Sequence, residues 1–301
     1  MSQVFVRKFE NSIQELWKMQ TLDLQTVGQL EQLWTEKGWE FARPGESEAA
    51  FERFCRMLEH IPLPARELVI ELTKTFSVYS LNNYINLMIS AFGKIDALYL
   101  KDIEKLVVAP LLNPADDRSG KAKSGHVLPY LAMHGALNTV AELESKEILA
   151  LASPKEISRY LDDRRTLVIL IDDFVGSGAT AKAAVWDVED KLSKERHNLL
   201  VVALVGMRHA LAFLSDHKII AVCGEILTKG IAENDFIEDK QAAYAAIDGI
   251  SADLDIAAEY YRGYLESEAL VRLLRTPDNT FPMYWCTQKL DKSPWPAPFP
   301  R

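Results

Sequence analysis

The sequence reads Thr166-Leu-Val-Ile-Leu-Ile171-Asp172-Asp173-Phe-Val175-Gly176-Ser177-Gly178-Ala179-Thr180 at its most informative point. Residues 167–171 are an unbroken run of branched apolar side chains, which predicts a central parallel strand covered on both faces. Because strand side chains alternate between the two faces, Asp172 and Asp173 cannot have the same role. We expect the chain to bend sharply after these two acids.

A small-residue loop and a helix follow the acids. In residues 176–180 every side chain is hydrogen, methyl or a short alcohol, so backbone N–H groups and hydroxyls can close around an anion. Apolar residues then recur at helical spacing from 181 to 192. The loop therefore leads to a helix N-terminus, where unpaired N–H groups and the helix dipole favour phosphate. Together these features predict a sugar-phosphate site.

Two alternative interpretations of this stretch exist. A nucleotide hydrolase would need the pattern G-x-x-x-x-G-K-[ST] upstream, and the nearest candidate, at residues 115–122, lacks the first glycine and the final hydroxyl. The other alternative is an ordinary strand, turn and helix whose acids are solvated.

The stretch resembles the phosphoribosyl-pyrophosphate (PRPP) motif of type I phosphoribosyltransferases: four apolar residues, two acids, two apolar residues and a small loop that closes on threonine. The resemblance implies that Asp172 and Asp173 hold the ribose 2- and 3-hydroxyls, with magnesium reaching them indirectly through PRPP. It also implies a 5-phosphate loop made of Val175, Gly176, Ser177, Gly178, Ala179 and Thr180. Gly176 and Ala179 depart from the Thr and Gly that family members often carry, which removes one hydroxyl contact.

A polar loop at residues 113–125 is the second candidate for chemistry. It follows the predicted strand 106–112, in which Pro110 marks either an edge strand or the strand end. Lys121, Lys123 and Ser124 stand before an apolar, helix-like segment at 127–137, so they could receive the pyrophosphate of PRPP or close over the site as a lid. The alternative is a solvated surface loop.

Composition limits the classes of function. The chain has 301 residues and a net charge of −9, which argues against extended nucleic-acid contact and against attraction to an anionic membrane. Its three cysteines are far apart and form no C-x-x-C pair, and its six histidines lack metal-ligand spacing. We expect a soluble cytoplasmic protein without a disulfide framework, a zinc site or a covalent nucleophile.

The order of patterns along the chain predicts a doubly wound, parallel α/β sheet of phosphoribosyltransferase type with a helical N-terminal element. We expect a helical accessory region at residues 1–100 and the α/β domain at 101–301. Trp17, Trp34 and Trp39 should pack between the N-terminal helices. Residues 251–274 read as one or two amphipathic helices, and the Pro- and Trp-rich tail should pack onto the body.

The wider layout resembles the phosphoribosyltransferase-like effectors of prokaryotic conflict systems, the PRTase-CE family, with a helical N-terminal region, the PRPP strand and an Asn279-Thr-Phe-Pro segment near the tail. This resemblance implies a role in anti-phage defence and supplies no acceptor substrate. It leaves two interpretations: a phosphoribosyltransferase that releases pyrophosphate, or a non-catalytic PRPP or nucleotide sensor acting through its N-terminal helices. A protein partner at those helices and a homo-oligomer are both compatible with the sequence.

Overall fold

A computed structural model of the chain describes residues 21–41, 48–115, 124–160, 164–190 and 198–301. The chain divides into two compact units: Met1–Val78 with Gly230–Arg301, here called the helical unit, and Tyr79–Lys229, here called the sheet unit. The described α-helices are α1 (Leu24–Glu36), α2 (Ala50–Glu59), α3 (Leu63–Thr75), α4 (Leu81–Phe92), α5 (Ala97–Leu100), α6 (Leu128–Leu131), α7 (Ala179–Glu189), α8 (Arg208–Asp216) and α9 (Lys240–Ala252). The described strands are β1 (Ser77–Val78), β2 (Lys105–Pro110), β3 (Glu147–Ala150), β4 (Thr166–Val175), β5 (Asn198–Met207), β6 (Ala221–Leu227) and β7 (Val271–Arg272).

The sheet unit is built on five parallel strands in the order β3-β2-β4-β5-β6. This confirms the predicted parallel, doubly wound α/β fold. The strand β2 pairs with a neighbour on each side, so Pro110 marks the end of an internal strand and not an edge. Pro110 is tolerated because it is the last residue of β2. The strand β3, which has four residues and begins on the exposed Glu147, was not predicted from the sequence.

The predicted bend follows the two acids at residues 176–178, two residues further on, because β4 continues through Asp172 and Asp173 to Val175. Pairing with β5 explains the extension, since Phe174 and Val175 are aligned with Val205 and Gly206. The helix-like segment predicted at 127–137 is also broken into shorter pieces. Residues 124–139 form the 3-10 turn Ser124–Val127, the helix α6, the π-helical turn Ala132–Ala136 and the 3-10 turn Leu137–Thr139.

The helix α4 lies against β6 at an unusually short distance. A Cβ atom at Gly224 would be 2.3 Å from the Leu87 carbonyl oxygen, so only glycine permits this approach. Two side chains of this region reinforce the contact: the Ser90 hydroxyl donates to the Gly224 carbonyl at 3.0 Å, and the Lys94 ammonium donates to the same carbonyl at 2.7 Å. The helix α4 is therefore part of the sheet unit, although it falls inside the region 1–100 that the sequence analysis treated as accessory.

The helical unit has an aromatic core that joins its N-terminal helices to the C-terminal tail. Trp34 is fully buried, packs edge-on against Trp39 at 4.8 Å between ring centroids and stacks on Phe299 at 6.4 Å. The Trp295 indole donates to the Met283 carbonyl at 2.9 Å. The predictions that the N-terminal tryptophans pack in a core and that the tail packs onto the body are confirmed for the described residues; Trp17 lies outside them.

The amphipathic helices predicted at 251–274 are wrong, because the helix of this region is α9 and ends at Ala252. Short 3-10 turns and β7 follow it. The backbone explains the difference: Gly263, Leu265, Glu266 and Glu268 all have positive φ, which interrupts any helix. At Gly263 a Cβ atom would also lie 1.9 Å from the Asn279 carbonyl oxygen.

Glu268 links distant parts of the C-terminal segment of the helical unit. Its buried carboxylate accepts the backbone N–H groups of Ile231 and Ala232 at 2.9 and 2.8 Å and the Tyr244 hydroxyl at 2.8 Å. The parallel pairing of β1 with β7 joins the N-terminal and C-terminal segments of this unit. The helical unit is thus assembled from the two ends of the sequence, whereas the sheet unit is one continuous stretch. The predicted division at residue 100 stays a prediction about domains.

Candidate functional site

The two motif acids occupy different environments at the C-terminal end of β4. Asp173 is buried, with 7 % of its surface exposed, and its Oδ2 accepts the hydroxyl of the fully buried Tyr84 at 3.0 Å. Asp172 is half-buried, and its Oδ1 accepts the backbone N–H of Asp173 at 2.9 Å. The expected alternation of side chains therefore places the Asp173 carboxylate against α4 and leaves the Asp172 carboxylate more open. Of the pair, Asp172 is the acid that solvent and a ligand reach more easily.

The loop after β4 turns tightly into α7. Val175, Gly176 and Gly178 are buried, Ser177 and Ala179 are half-buried, and Thr180 is exposed. Gly178 precedes the helix with φ +79°, in the left-handed region that favours glycine. Its position is also crowded, because a Cβ atom there would lie 2.8 Å from Phe213 Cδ1 on α8.

The first turn of α7 presents donors suited to an anion. The Lys182 N–H closes the turn on the Gly178 carbonyl at 2.9 Å, so the N–H groups that precede it have no acceptor within the helix. The Ser177 hydroxyl accepts the Ala179 N–H over a long 3.4 Å. The exposed Thr180 adds a second hydroxyl in the same turn. Backbone N–H groups, two hydroxyls and small side chains give this turn the donors that an anion would need.

The second candidate loop returns to the sheet beside Asp172. A Cβ atom at Gly125 would lie 3.4 Å from Asp172 Oδ1 and 3.6 Å from the Leu111 carbonyl oxygen, which follows β2. Lys121 and Lys123 lie outside the described residues, and Ser124 is described only by its backbone, at the start of a 3-10 turn. Leu111 and Gly125, which flank this loop, therefore lie at the same sheet edge as Asp172.

This sheet edge is also the topological switch point. The chain passes from β2 outward to β3 and then returns to place β4 on the other side of β2. In parallel α/β sheets such a reversal opens a crevice beyond the carboxyl ends of the two central strands, where ligands bind. Leu111, Gly125 and Asp172 lie at that crevice, although 61 residues of sequence separate the first from the last.

Two residues near this edge were missed by sequence reasoning. Tyr84 lies 89 positions from Asp173, and no local pattern connects them. Arg208 is exposed at the start of α8, directly after β5, the neighbour of β4. A basic residue immediately after an apolar strand was a usable signal for Arg208, because parallel strands end at one sheet edge.

Other reactive groups do not form a site among the described residues. No group of three or more His, Cys, Asp or Glu side chains is arranged to hold a metal in the parts of the chain that the structure describes. Burial raises the pKa of the Cys223 thiol and, with smaller effects from Glu59 and Glu31, raises that of Cys55 to about 11. These two thiols are therefore mostly protonated at neutral pH and weakly nucleophilic. Across the described helices, none combines the length and apolar character needed to cross a membrane.

One protein family matches most of the chain. The PRTase-CE family model matches residues 63–301, which includes the whole sheet unit, the motif strand β4 and the tail. No curated protein matches the chain.

Proposed function

Because this chain belongs to the PRTase-CE family, we propose that its sheet unit binds PRPP at the switch point between β2 and β4 and transfers phosphoribose with release of pyrophosphate. One observation carries the proposal: the open acid Asp172, the anion-binding turn of α7 and the returning loop at Gly125 belong to one sheet edge. Each of the three matches a different part of PRPP, namely the ribose, the 5-phosphate and the pyrophosphate.

The 5-phosphate binds at the first turn of α7. Its oxygens accept the N–H groups of that turn, and the hydroxyls of Ser177 and Thr180 contribute further bonds. Gly178 permits this turn for two reasons. Its backbone takes the left-handed conformation before the helix, and it has no side chain that would collide with Phe213.

The two acids hold the ribose. Asp172 accepts a ribose hydroxyl from the open side, and Tyr84 fixes the orientation of Asp173 through its 3.0 Å bond. Negative charge at this position also stabilises the positive charge that develops on the sugar when the leaving group departs. Asp172, the more open carboxylate, and Asp173 would hold a magnesium ion indirectly, through bound PRPP. The bound ion would supply positive charge that neutralises the pyrophosphate.

In the transfer step an acceptor atom forms a bond to the anomeric carbon as the bond from that carbon to the pyrophosphate oxygen breaks. The electron pair leaves with the pyrophosphate, and the acceptor loses its proton to solvent. Lys121, Lys123 and the N-terminus of the turn at Ser124 receive the leaving group. Catalysis of this kind depends on positioning and electrostatics. In the cell, we propose that the reaction serves an effector role in anti-phage defence.

A second function is favoured by the burial of Asp173. A carboxylate with 7 % of its surface exposed and bonded to Tyr84 offers little to a substrate, whereas the phosphate turn does not depend on it. The alternative proposal is a non-catalytic sensor that binds PRPP or a nucleotide and signals through its helical N-terminal region.

Calorimetric titration of the full chain with PRPP and magnesium tests the site. Thr180→Val should weaken binding about tenfold or more, because hydrogen bonds to charged groups contribute about 1.5–3 kcal/mol. Thr35→Val, the same change at an exposed threonine of α1, is the matched control and should leave affinity unchanged. Gly178→Val is a poor probe because its side chain would meet α8.

Pyrophosphate release against a panel of bases and amines separates the two functions. Sustained turnover supports the transferase, and binding without turnover for any acceptor supports the sensor. Equal PRPP affinity in the parent chain and in Thr180→Val would show that the first turn of α7 does not bind the 5-phosphate. That result would contradict both proposed functions.

A further inference from the structure

An apolar groove runs between α3 and α9 within the helical unit, and its volume is about 780 Å³. Buried side chains of both helices line it, including Ala65 on α3 and Ile250 on α9. Phe236 lies at its edge with 81 % of its surface exposed. An exposed aromatic ring that adjoins an apolar groove indicates an interaction site, whereas scattered exposed apolar residues do not.

The α9 wall of this groove is low enough for another chain to approach closely. Four small residues at helical spacing line it, namely Ala242, Ala245, Ala246 and Gly249. Three of the four are exposed, and a Cβ atom at Gly249 would have no neighbour within 4 Å. At a rise of about 1.5 Å per residue, these residues form a flat strip about 10 Å long on one face of α9.

The ionisable side chains that line the groove are all acids. They are Glu67, Glu71 and Asp239, and none of the lining residues is Lys, Arg or His. Glu71 is paired with Lys74 at 2.6 Å, whereas Glu67 and Asp239 are exposed. Asp239 also accepts the Ala242 N–H at 2.9 Å as the cap of α9. The groove therefore has negative charge at its rim and should attract a partner with basic side chains.

The walls of the groove restrict the conformation of such a partner. Both walls are helices and no strand lines the groove, so an extended peptide would find no sheet edge to pair with. Phe236 is the one aromatic residue of the lining, so the groove lacks the aromatic rows that receive polyproline segments. A trough between two helices instead suits a third helix, whose apolar ridge fits between them.

We propose that the groove between α3 and α9 binds an amphipathic helix of a partner protein, with aliphatic side chains on one face and Lys or Arg on its flanks. The aliphatic face covers Leu68 and the small-residue strip of α9, and the basic flanks meet Glu67 and Asp239. A second copy of this chain, paired groove to groove, would bring the same acids together. An anionic lipid surface would meet the same repulsion. This inference does not depend on the proposed PRPP site.

Fluorescence anisotropy with the full chain and two synthetic helical peptides tests the proposal. Both peptides have leucine on one face; the other face carries lysine in the first and glutamate in the second. The Leu/Lys peptide should bind about tenfold more tightly than the Leu/Glu peptide, or better, because only its charge complements the rim. No binding of the Leu/Lys peptide, or equal binding of the two peptides, would overturn the proposal.

A pair of substitutions on α9 locates the bound peptide. Ala245→Arg places a long charged side chain at an exposed position of the groove and should weaken binding of the Leu/Lys peptide about tenfold or more. Ala252→Arg is the matched control, because it makes the same change at an exposed position of α9 beyond the groove and should leave affinity unchanged. Equal affinity in the parent chain and in Ala245→Arg would show that the peptide binds elsewhere.

The same assay measures the contribution of the acidic rim. Glu67→Gln should weaken binding of the Leu/Lys peptide about two- to fivefold, the effect of one exposed ion pair. Glu31→Gln, the same change at an exposed acid of α1 that does not line the groove, should have no effect. Unchanged affinity in Glu67→Gln would contradict a partner with basic flanks.

Light scattering of the full chain distinguishes a separate partner from a second copy. The expected result is an oligomeric state that Ala245→Arg does not change. A dimer that dissociates on Ala245→Arg but not on Ala252→Arg would show that a second copy covers the groove, and it would overturn the proposal.

Discussion

Replacing Tyr84 by phenylalanine removes one hydroxyl from the interior of the sheet unit and nothing else. That hydroxyl donates to Asp173 Oδ2 at 3.0 Å; Tyr84 is fully buried and Asp173 is 7 % exposed. A hydrogen bond to a charged group contributes about 1.5–3 kcal/mol, and water has poor access to replace it here. We therefore expect Tyr84→Phe to lower the free energy of unfolding of the sheet unit by about 2 kcal/mol.

Native-state hydrogen exchange of the β4 and β5 amides is the suitable assay. Tryptophan fluorescence would report mainly on the helical unit, because Trp186 is the one described tryptophan of the sheet unit. A loss of about 2 kcal/mol corresponds to roughly 30-fold faster exchange of the slowest amides. Tyr130→Phe is the matched control, since this tyrosine of the same unit is 63 % exposed and its loss should change exchange little.

A double-mutant cycle assigns the effect to the carboxylate. Asp173→Asn keeps an acceptor for the Tyr84 hydroxyl and removes a buried charge, so in that background Tyr84→Phe should cost only about 1 kcal/mol, the value of a neutral hydrogen bond. Less than about threefold acceleration in the single variant, or the same acceleration with Asn at position 173, would refute the reasoning.

Three further predictions follow from other parts of the structure. Asp172→Asn with Asp173→Asn should abolish pyrophosphate release while circular dichroism shows an intact fold, because the amides match the acids in size but not in charge; retained turnover would exclude the acids from the chemistry. Gly224→Ala should cost about 3 kcal/mol or more in urea unfolding, since its Cβ would lie 2.3 Å from the Leu87 carbonyl oxygen, whereas Gly28→Ala, inside α1 with open space around it, should stabilise by about 0.5–1 kcal/mol. Cys55, whose pKa is raised to about 11 chiefly by burial, should react slowly with iodoacetamide at neutral pH and about tenfold faster for each pH unit added; a pH-independent rate in peptide mass spectra would contradict this.

The parts of the fold that could be predicted are those with local signals. The apolar run of β4, the paired acids and the small loop each specify their own conformation within about fifteen residues, so the strand, the turn and α7 were all predicted. The short strand β3 was missed because four residues with an exposed start carry no clear period. The segment 251–274 was misread because its helical spacing of apolar residues competes with a run of positive φ values that tertiary contacts impose.

The residues of the candidate site could be predicted from the sequence motif, but their burial and their neighbours could not. Sequence alternation indicated that Asp172 and Asp173 differ, but which acid is buried depends on Tyr84, a residue of α4 that local patterns place among core side chains. The adjacency of Gly125 and Asp172 depends on the order of strands in the sheet, which no single segment encodes. Strand order and helix placement are long-range properties, so the sequence alone left them open.

The assembly of the helical unit from both ends of the sequence sets an order of events during synthesis. All five strands of the sheet unit have been made once residue 227 has emerged from the ribosome, so that unit can fold while translation continues. The rings of Trp34 and Phe76 cannot complete their packing until Phe299 has been synthesised. The Phe299 ring stacks on Trp34 at 6.4 Å and on Phe76 at 4.8 Å between ring centroids. Through most of translation the helices α1 to α3 therefore carry an uncovered aromatic face. A chain truncated before the tail would contain the complete sheet unit but an incomplete helical unit. The exposed apolar surface of that incomplete unit would make the chain a substrate for chaperones and proteases.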